Sequence, residues 1–424
     1  MRQMPTRSVV NVFFLLGISF TSGNAQTTGA CRYTGWRPPA SIPVSEPTTI
    51  RFTDVVERGS RQYMVSVPFA LPISSGNVHS SNAGATPLNV QTLSGTKLAS
   101  PSGTFVFSYP RAAIDSRGDL HVVWGEPDSA PPRWSVESRG DIPVTSLWHS
   151  VWRNHAWSVP RRIYRAKQII WDPITTSRLL ADSKGGLRIA LTASEPKGQQ
   201  EAIYLAYDGA DWRSTRVKNA TPVVYADLAL GEGNSVALAF VAAPPARGFG
   251  VWRENGLFVI TSTDGGSHWS SPASVATDER MPAYEPHIFF GARRTIDIVW
   301  TQAGKQSGAT LWHTASDDGG RTWRGATALV STHPISKTQA IIDSCGSIHT
   351  AAQVMTTRGP HIGYARFTDG RWTPLNILFS DQLGAQPKLW LSAIGRPKLS
   401  FYQAPPTANT QQLFRLKLTE LLAH

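Results

Sequence analysis

Apolar and polar positions alternate along this chain in short bursts rather than with helical spacing, and six of the bursts share one layout. They read "RAAIDSRGDLHVVW" from Arg111, "RLLADSKGGLRIAL" from Arg178, "DLALGEGNSVALAF" from Asp227, "HIFFGARRTIDIVW" from His287, "QAIIDSCGSIHTAA" from Gln339 and "KLWLSAIGRPKLSF" from Lys388. In each, a short apolar run meets a tight turn rich in Gly, Asp or Ser. A second run with alternating apolar residues follows, which is the signature of two antiparallel strands. The starts are separated by 67, 49, 60, 52 and 49 residues. A period of that size predicts one repeat architecture in place of the two or three domains that the length alone suggests.

A second repeat lies between the first. The stretch "STDGGSHWSSP", residues 262–272, returns as "SDDGGRTWRGA", residues 316–326, with Ser, Asp, Gly and Trp at one spacing. Ser262 and Asp264 suit a turn that hydrogen-bonds to its own backbone, Gly265 and Gly266 suit positive φ, and Trp269 supplies a large apolar cap. Degenerate forms occur as "WRNHAWSVP", "YDGADWRST" and "FTDGRWTPL", which keep Trp157, Trp212 and Trp372 in the capping place. The two full copies resemble the Asp-box, or BNR, motif of sialidases and related β-propellers.

That resemblance and the underlying repeat together predict an all-β, six-bladed β-propeller of four-stranded antiparallel blades, with a seven-bladed ring as the alternative. The last unit lacks a fourth strand before the chain stops. Residues 50–70, "IRFTDVVERGSRQYMVSVPFA", are β-rich candidates to supply it and close the ring. Residues 1–25 read as a signal peptide: Arg2 and Arg7, the apolar run "VVNVFFLLGISF", then small residues before a cut after Ala25. Residues 26–49 are then an extension and 50–424 a single sialidase-like propeller. No run approaches the roughly 20 residues a membrane span needs, so a secreted or periplasmic location is expected.

The chain has only two cysteines, Cys31 and Cys345. They permit a disulfide in an exported protein, or leave Cys345 a small buried residue and Cys31 a loose thiol. No cysteine or histidine spacing suits a metal, and no cofactor is expected. The formal charge is +12, or +10 without Arg2 and Arg7, which favours an acidic partner. With no long Lys/Arg run or interleaved aromatics, an anionic glycan or polysaccharide is expected rather than nucleic acid.

Up-and-down strands sort the connections onto two faces. The turns with Asp115, Asp182, Asp343, Asp264 and Asp318 share one face and are expected to be structural. The opposite face borders the central channel, where each innermost strand begins with a polar residue: Arg111, Arg178, Asp227, His287, Gln339 and Lys388. Two residues earlier, on the same side by the period of two, stand Tyr109, Thr176, Tyr225, Glu285, Lys337 and Gln386. Glu126, Gln302 and Gln403 add polar tips on the second strands, and the long connection Gly125 to Thr145 is a candidate flap. Trp134, Trp171 and Trp252 are candidates to stack on sugar rings.

Tyr225, Glu285, Asp227 and His287 are therefore candidate catalytic residues, and Arg111, Arg178, Lys388, Lys337, Tyr109, Glu126 and Gln302 candidate substrate contacts. Arg suits bidentate grip of a sugar carboxylate. The sialidase resemblance implies hydrolysis, with Tyr225 and Glu285 imitating the family's Tyr/Glu pair and Arg111 and Arg178 two of its three arginines. The chain departs from it: the Phe/Tyr-Arg-Ile-Pro signature is absent, Lys388 stands where a third arginine would, and no acid Asp is identifiable. Related propellers imply two alternatives. One is a uronate polysaccharide lyase using His287, Tyr225 and Arg178; the other is a propeller that binds glycans or proteins without reaction.

Overall fold

The computed structural model describes residues 31–42, 49–69, 88–101, 110–127, 144–171, 177–194, 200–217, 223–242, 256–275, 283–291, 295–303, 309–404 and 415–423. The expected signal peptide, Tyr109, Thr176, Trp134, Trp252 and most of the candidate flap lie outside them. Every regular element among the described residues is a β-strand, and no helix there is long and apolar enough to cross a membrane.

The six apolar repeats all form the strand pairs they predict. Arg111–Ile114 pairs with Leu120–Glu126, Leu180–Ala181 with Leu187–Ser194, and Val223–Leu230 with Val236–Ala242. Ala283–Phe290 pairs with Ile296–Ala303, Ile335–Ile342 with Ile348–Thr356, and Leu383–Leu391 with Pro397–Ala404. All of these ladders are antiparallel. The second strands are mostly buried because both faces pack on neighbouring sheets. Leu187, Ile189 and Leu191 in one of them, and Ile298 and Trp300 in another, have no exposed surface.

Successive first strands contact one another around a central axis. The ring closes where Leu383–Leu391 meets Thr49–Arg58, which in turn meets Arg111–Ile114. The protein is a β-propeller, but the predicted count is corrected. The described strands form five blades of four or more hydrogen-bonded strands, neither six separate four-stranded blades nor seven, together with a three-stranded sheet, Thr49–Arg58, Arg61–Phe69 and Asn89–Thr92. One cause is the ten-residue strand Arg161–Ile170. Its first half pairs with Val144–Arg153 and its last three residues pair with Thr192–Ser194, which fuses two expected units into one nine-stranded sheet.

Closure also differs from expectation. Residues 49–69 build their own hairpin, and Tyr33–Trp36 supplies the strand that pairs with Arg415–Ala423. A disulfide, Cys31–Cys345, ties that N-terminal strand to the turn of the neighbouring blade. Backbone donors and acceptors at the seam are thus paired rather than left as an open edge.

The repeated Ser-x-Asp turns are self-contained. Ser262 Oγ donates to Asp264 Oδ1 at 2.8 Å, and that oxygen also accepts from the backbone N–H groups of Ser267 and His268 at 3.0 and 2.9 Å. Asp318 repeats this with Ser316, Arg321 and Thr322. These bonds to the ionised form hold both carboxyls well below the usual range. Each turn also leans on the preceding blade: Tyr204 Oη donates to the Gly265 carbonyl at 3.0 Å, and Thr261 Oγ1 to that of Gly319 at 3.3 Å. Gly266, at φ 91°, lies against the Tyr204 ring where a Cβ would collide.

Candidate functional site

Side chains at the starts of the first strands latch one sheet to the next. Arg111 Nε donates to the Ser177 carbonyl at 3.1 Å, and His287 Nε2 to that of Thr338 at 2.9 Å. Asp227 Oδ2 accepts the Ile288 N–H at 3.1 Å, and Asp54 Oδ2 that of Ala112 at 2.8 Å. Part of the polar ring therefore satisfies backbone groups between blades, as buried polar groups require.

The residues two positions earlier are arranged otherwise than the period of two predicts. Glu285, Lys337 and Gln386 all have positive φ, 49°, 52° and 52°, and the ladder register slips at each. These are β-bulges, which turn a side chain away from the face that strict alternation would give it. Pro286 and Pro387 follow two of them and bring no N–H that a bulge would leave unpaired. At the third, the freed N–H groups of Lys337 and Thr338 donate to Glu285 Oε1 and Oε2, at 3.0 and 2.6 Å. Glu285 is thereby engaged as a cap on the next blade.

What remains at the channel mouth is a compact charged cluster. Lys388 Nζ lies 2.6 Å from Asp54 Oδ1. Arg178 Nη2 lies 3.4 Å from Asp227 Oδ2, and its guanidinium is 5.4 Å from the centre of the Phe289 ring. His287 Nδ1 is 3.8 Å from the same Asp227 oxygen. Three cations, Arg111, Arg178 and Lys388, thus lie together with two carboxylates, Asp54 and Asp227. The cations sense one another: Arg111 and Arg178 both help to lower the pKa of Lys388, with burial the larger cause and Asp54 opposing.

Two features of this cluster stand out. The Arg178 Nε–H is buried with no hydrogen-bond partner among the described residues, a costly state for a charged donor. His287 is held neutral chiefly by burial, with Arg178 and Lys388 adding to the effect and Asp227 opposing it. Because its Nε2–H donates to Thr338, the basic lone pair is on Nδ1, on the side of Asp227.

Of the other sequence candidates, Tyr225 is half-buried with its ring edge-on to Tyr284, centroids 6.1 Å apart. Glu126 accepts from Trp124 Nε1 at 2.7 Å, Gln302 is buried, and Lys337 has a pKa lowered by burial against the pull of Glu285. Trp171 is buried in the apolar core of the nine-stranded sheet, not displayed for stacking. Asp54 was missed. Its segment, "DVVERGSRQYMVSV", has the same run, turn and run as the six repeats, and aligning it with them places Asp54 at the ring position.

No protein-family model matches the chain, and no curated protein does either. Among solved structures it is similar to an ulvan lyase of a new polysaccharide lyase family, with a TM-score of 0.55 and 9% identity over 92% of this chain and 94% of that one. It is also similar to a protein of unknown function from Dyadobacter fermentans DSM 18053, with a TM-score of 0.52 and 13% identity over 93% of this chain and 100% of that one. A Trypanosoma rangeli sialidase aligns at a TM-score of 0.45 and 10% identity, over 77% of this chain and 56% of that one. At such identities the likeness is one of fold, the β-propeller.

Proposed function

We propose that the channel mouth binds the carboxylate of an acidic sugar within a polysaccharide and cleaves the chain by β-elimination. The observation that carries this reading is the pairing of the unsatisfied Arg178 Nε–H with a neutral His287 whose Nδ1 is the basic atom. In the reaction, Nδ1 takes the proton from the carbon beside the carboxylate. Arg178 and Lys388 stabilise the enolate charge as it develops. The bond from the adjacent carbon to the glycosidic oxygen then breaks, and that oxygen takes a proton, for which the Tyr225 phenol is the candidate donor. No water is consumed, and one product carries a carbon–carbon double bond.

Elimination is preferred to sialidase-type hydrolysis because hydrolysis on this chain would need Glu285 to activate Tyr225. Both Glu285 oxygens accept backbone N–H groups of the next blade, so that carboxylate already serves as a structural cap. The fold supports the same choice, since an ulvan lyase structure bound to -[GlcA(1-4)Rha3S]- matches 92% of this chain at a TM-score of 0.55. A signal peptide in residues 1–25 would bring the protein to where such polymers lie.

The test is mass spectrometry of a glucuronate-containing polysaccharide after incubation with the mature protein. Unsaturated fragments that have gained no water are expected. Fragments each carrying an added water would establish hydrolysis, and an intact polymer retained by the protein would establish a binding module; either overturns the proposal.

A further inference from the structure

The strand that fuses two units of the propeller is also its most basic. Arg161–Ile170, "RRIYRAKQII", holds four cations and no acid in ten residues, and Arg161, Arg162, Arg165 and Lys167 are all exposed. Outer strands elsewhere carry fewer cations: Ala273–Ser274, Thr327–Ser331 and Asn376–Leu378 carry none, and Arg213 and Arg216 of Trp212–Arg216 pair with Asp208 and Glu201. Ile163, Tyr164 and Ala166 pack into the core beneath, so packing anchors the strand without requiring its charges. Arg161 pairs with Asp211 at 3.0 Å in full solvent, where such a contact is weak. Arg162 and Lys167 have no acidic partner among the described residues.

The course of this strand gives the charges a direction. Its start pairs with His149 and Trp148. Its end pairs with Thr192–Ser194, at the close of a second strand, and second strands close on the side of the propeller where first strands begin. The row of cations therefore climbs from the outer edge toward the channel mouth, about 20 Å from Arg161 to Lys167 at the usual rise per residue.

The geometry points to this strand as a second binding surface, a track that holds an acidic polysaccharide outside the channel while one of its sugars occupies the mouth. The inference rests on the proposed carbohydrate function and adds to it a preference for long chains. A row of like charges with solvent on one side suits a flexible polyanion, whose repeating carboxylates can shift along it without a shaped pocket.

Binding of polygalacturonate and of digalacturonate is measured for the wild-type protein, for Arg162→Glu/Lys167→Glu, for the milder Arg162→Gln/Lys167→Gln, and for Arg178→Ala. Both double variants change only exposed side chains. The expected result is polymer binding weakened about tenfold in the Glu variant and less in the Gln variant, with digalacturonate binding unchanged in both. Added salt is expected to reduce the difference between wild type and variants for the polymer. Arg178→Ala is expected to lose digalacturonate instead. Polymer binding equal to wild type in both double variants would overturn the track. So would duplex DNA binding more tightly than polygalacturonate and being lost in the same variants, since the surface would then serve nucleic acid. Failure of the channel reading shows separately, as wild-type protein that holds the polymer but not digalacturonate.

Discussion

Asp–His pairs occur on both faces of this propeller, with different surroundings. On the turn face, Trp212 Nε1 donates to His149 Nδ1 at 3.1 Å, so the His149 proton is on Nε2 and points to His121 Nδ1 at 3.0 Å. The His121 proton then faces Asp115 at 3.5 Å. A second cluster runs from Tyr364 through His349 to Asp343, which also accepts from Tyr33 at 2.7 Å. The side chains of Asp115, His121, Asp343 and His349 are 0% exposed. At the channel mouth His287 is 12% exposed and Arg178 24%, and Arg178 keeps an unpaired donor. The same residue types thus form sealed struts on one face and a partly solvent-exposed cluster on the other. Solvent access tells them apart, not residue identity.

Paired substitutions sharpen this contrast most. Arg178→Ala is expected to lower turnover of an acidic polysaccharide by about 10²–10³-fold, the scale of removing one donor from a developing negative charge, while the thermal midpoint moves by only a few degrees. His349→Ala is expected to do the reverse, costing about 2–4 kcal/mol of stability by leaving Asp343 and Tyr364 without their buried partner. Turnover per folded molecule would stay near wild type. Steady-state kinetics and urea unfolding on both variants check the pair, and loss of activity in stable, folded His349→Ala would erase the distinction between the faces.

The pH dependence of stability is a smaller effect with a definite sign. Burial, helped by the charges of His121 and Arg161, pushes the His149 pKa down to about 3. The unfolded chain therefore takes up this proton first as pH falls, and stability declines from about pH 6.5 toward the folded value. Between pH 7 and pH 4.5 this group contributes a loss of about 2 kcal/mol, and His149→Gln is expected to lose less over that interval. An equal loss of unfolding free energy in wild type and His149→Gln between the two pH values, read from urea unfolding, would contradict the assignment of a neutral, fully buried His149 imidazole.

The smallest effect belongs to the repeated turns. Asp318→Ala removes one acceptor of several backbone bonds in an exposed turn and is expected to lower the thermal midpoint slightly with turnover unchanged.

Much of this architecture was legible in the sequence because it is encoded locally. The six run-turn-run segments give strand pairs directly, and Arg111, Arg178, Asp227, His287 and Lys388 fall in one charged cluster. What could not be read depended on departures from local rules. A bulge at Glu285 needs one residue of positive φ, which a Glu–Pro sequence does not announce, and its carboxylate caps backbone N–H groups of the next blade. The blade count failed at Arg161–Ile170, since one strand's choice of two partners is settled by packing against Leu187–Ser194, far along the chain. Closure by Tyr33–Trp36 likewise joins segments far apart in the chain, beside a disulfide spanning 314 residues, and no local pattern points to that pairing.

The most direct test of the central claim is a crystal structure of the protein soaked with a short uronate oligosaccharide. The expected result is a sugar carboxylate within hydrogen-bond distance of Arg178 Nε, with His287 Nδ1 facing the carbon that bears the proton to be removed. An oligosaccharide bound elsewhere, with Arg178 still turned to Asp227 and its Nε–H still unpaired, would contradict the account.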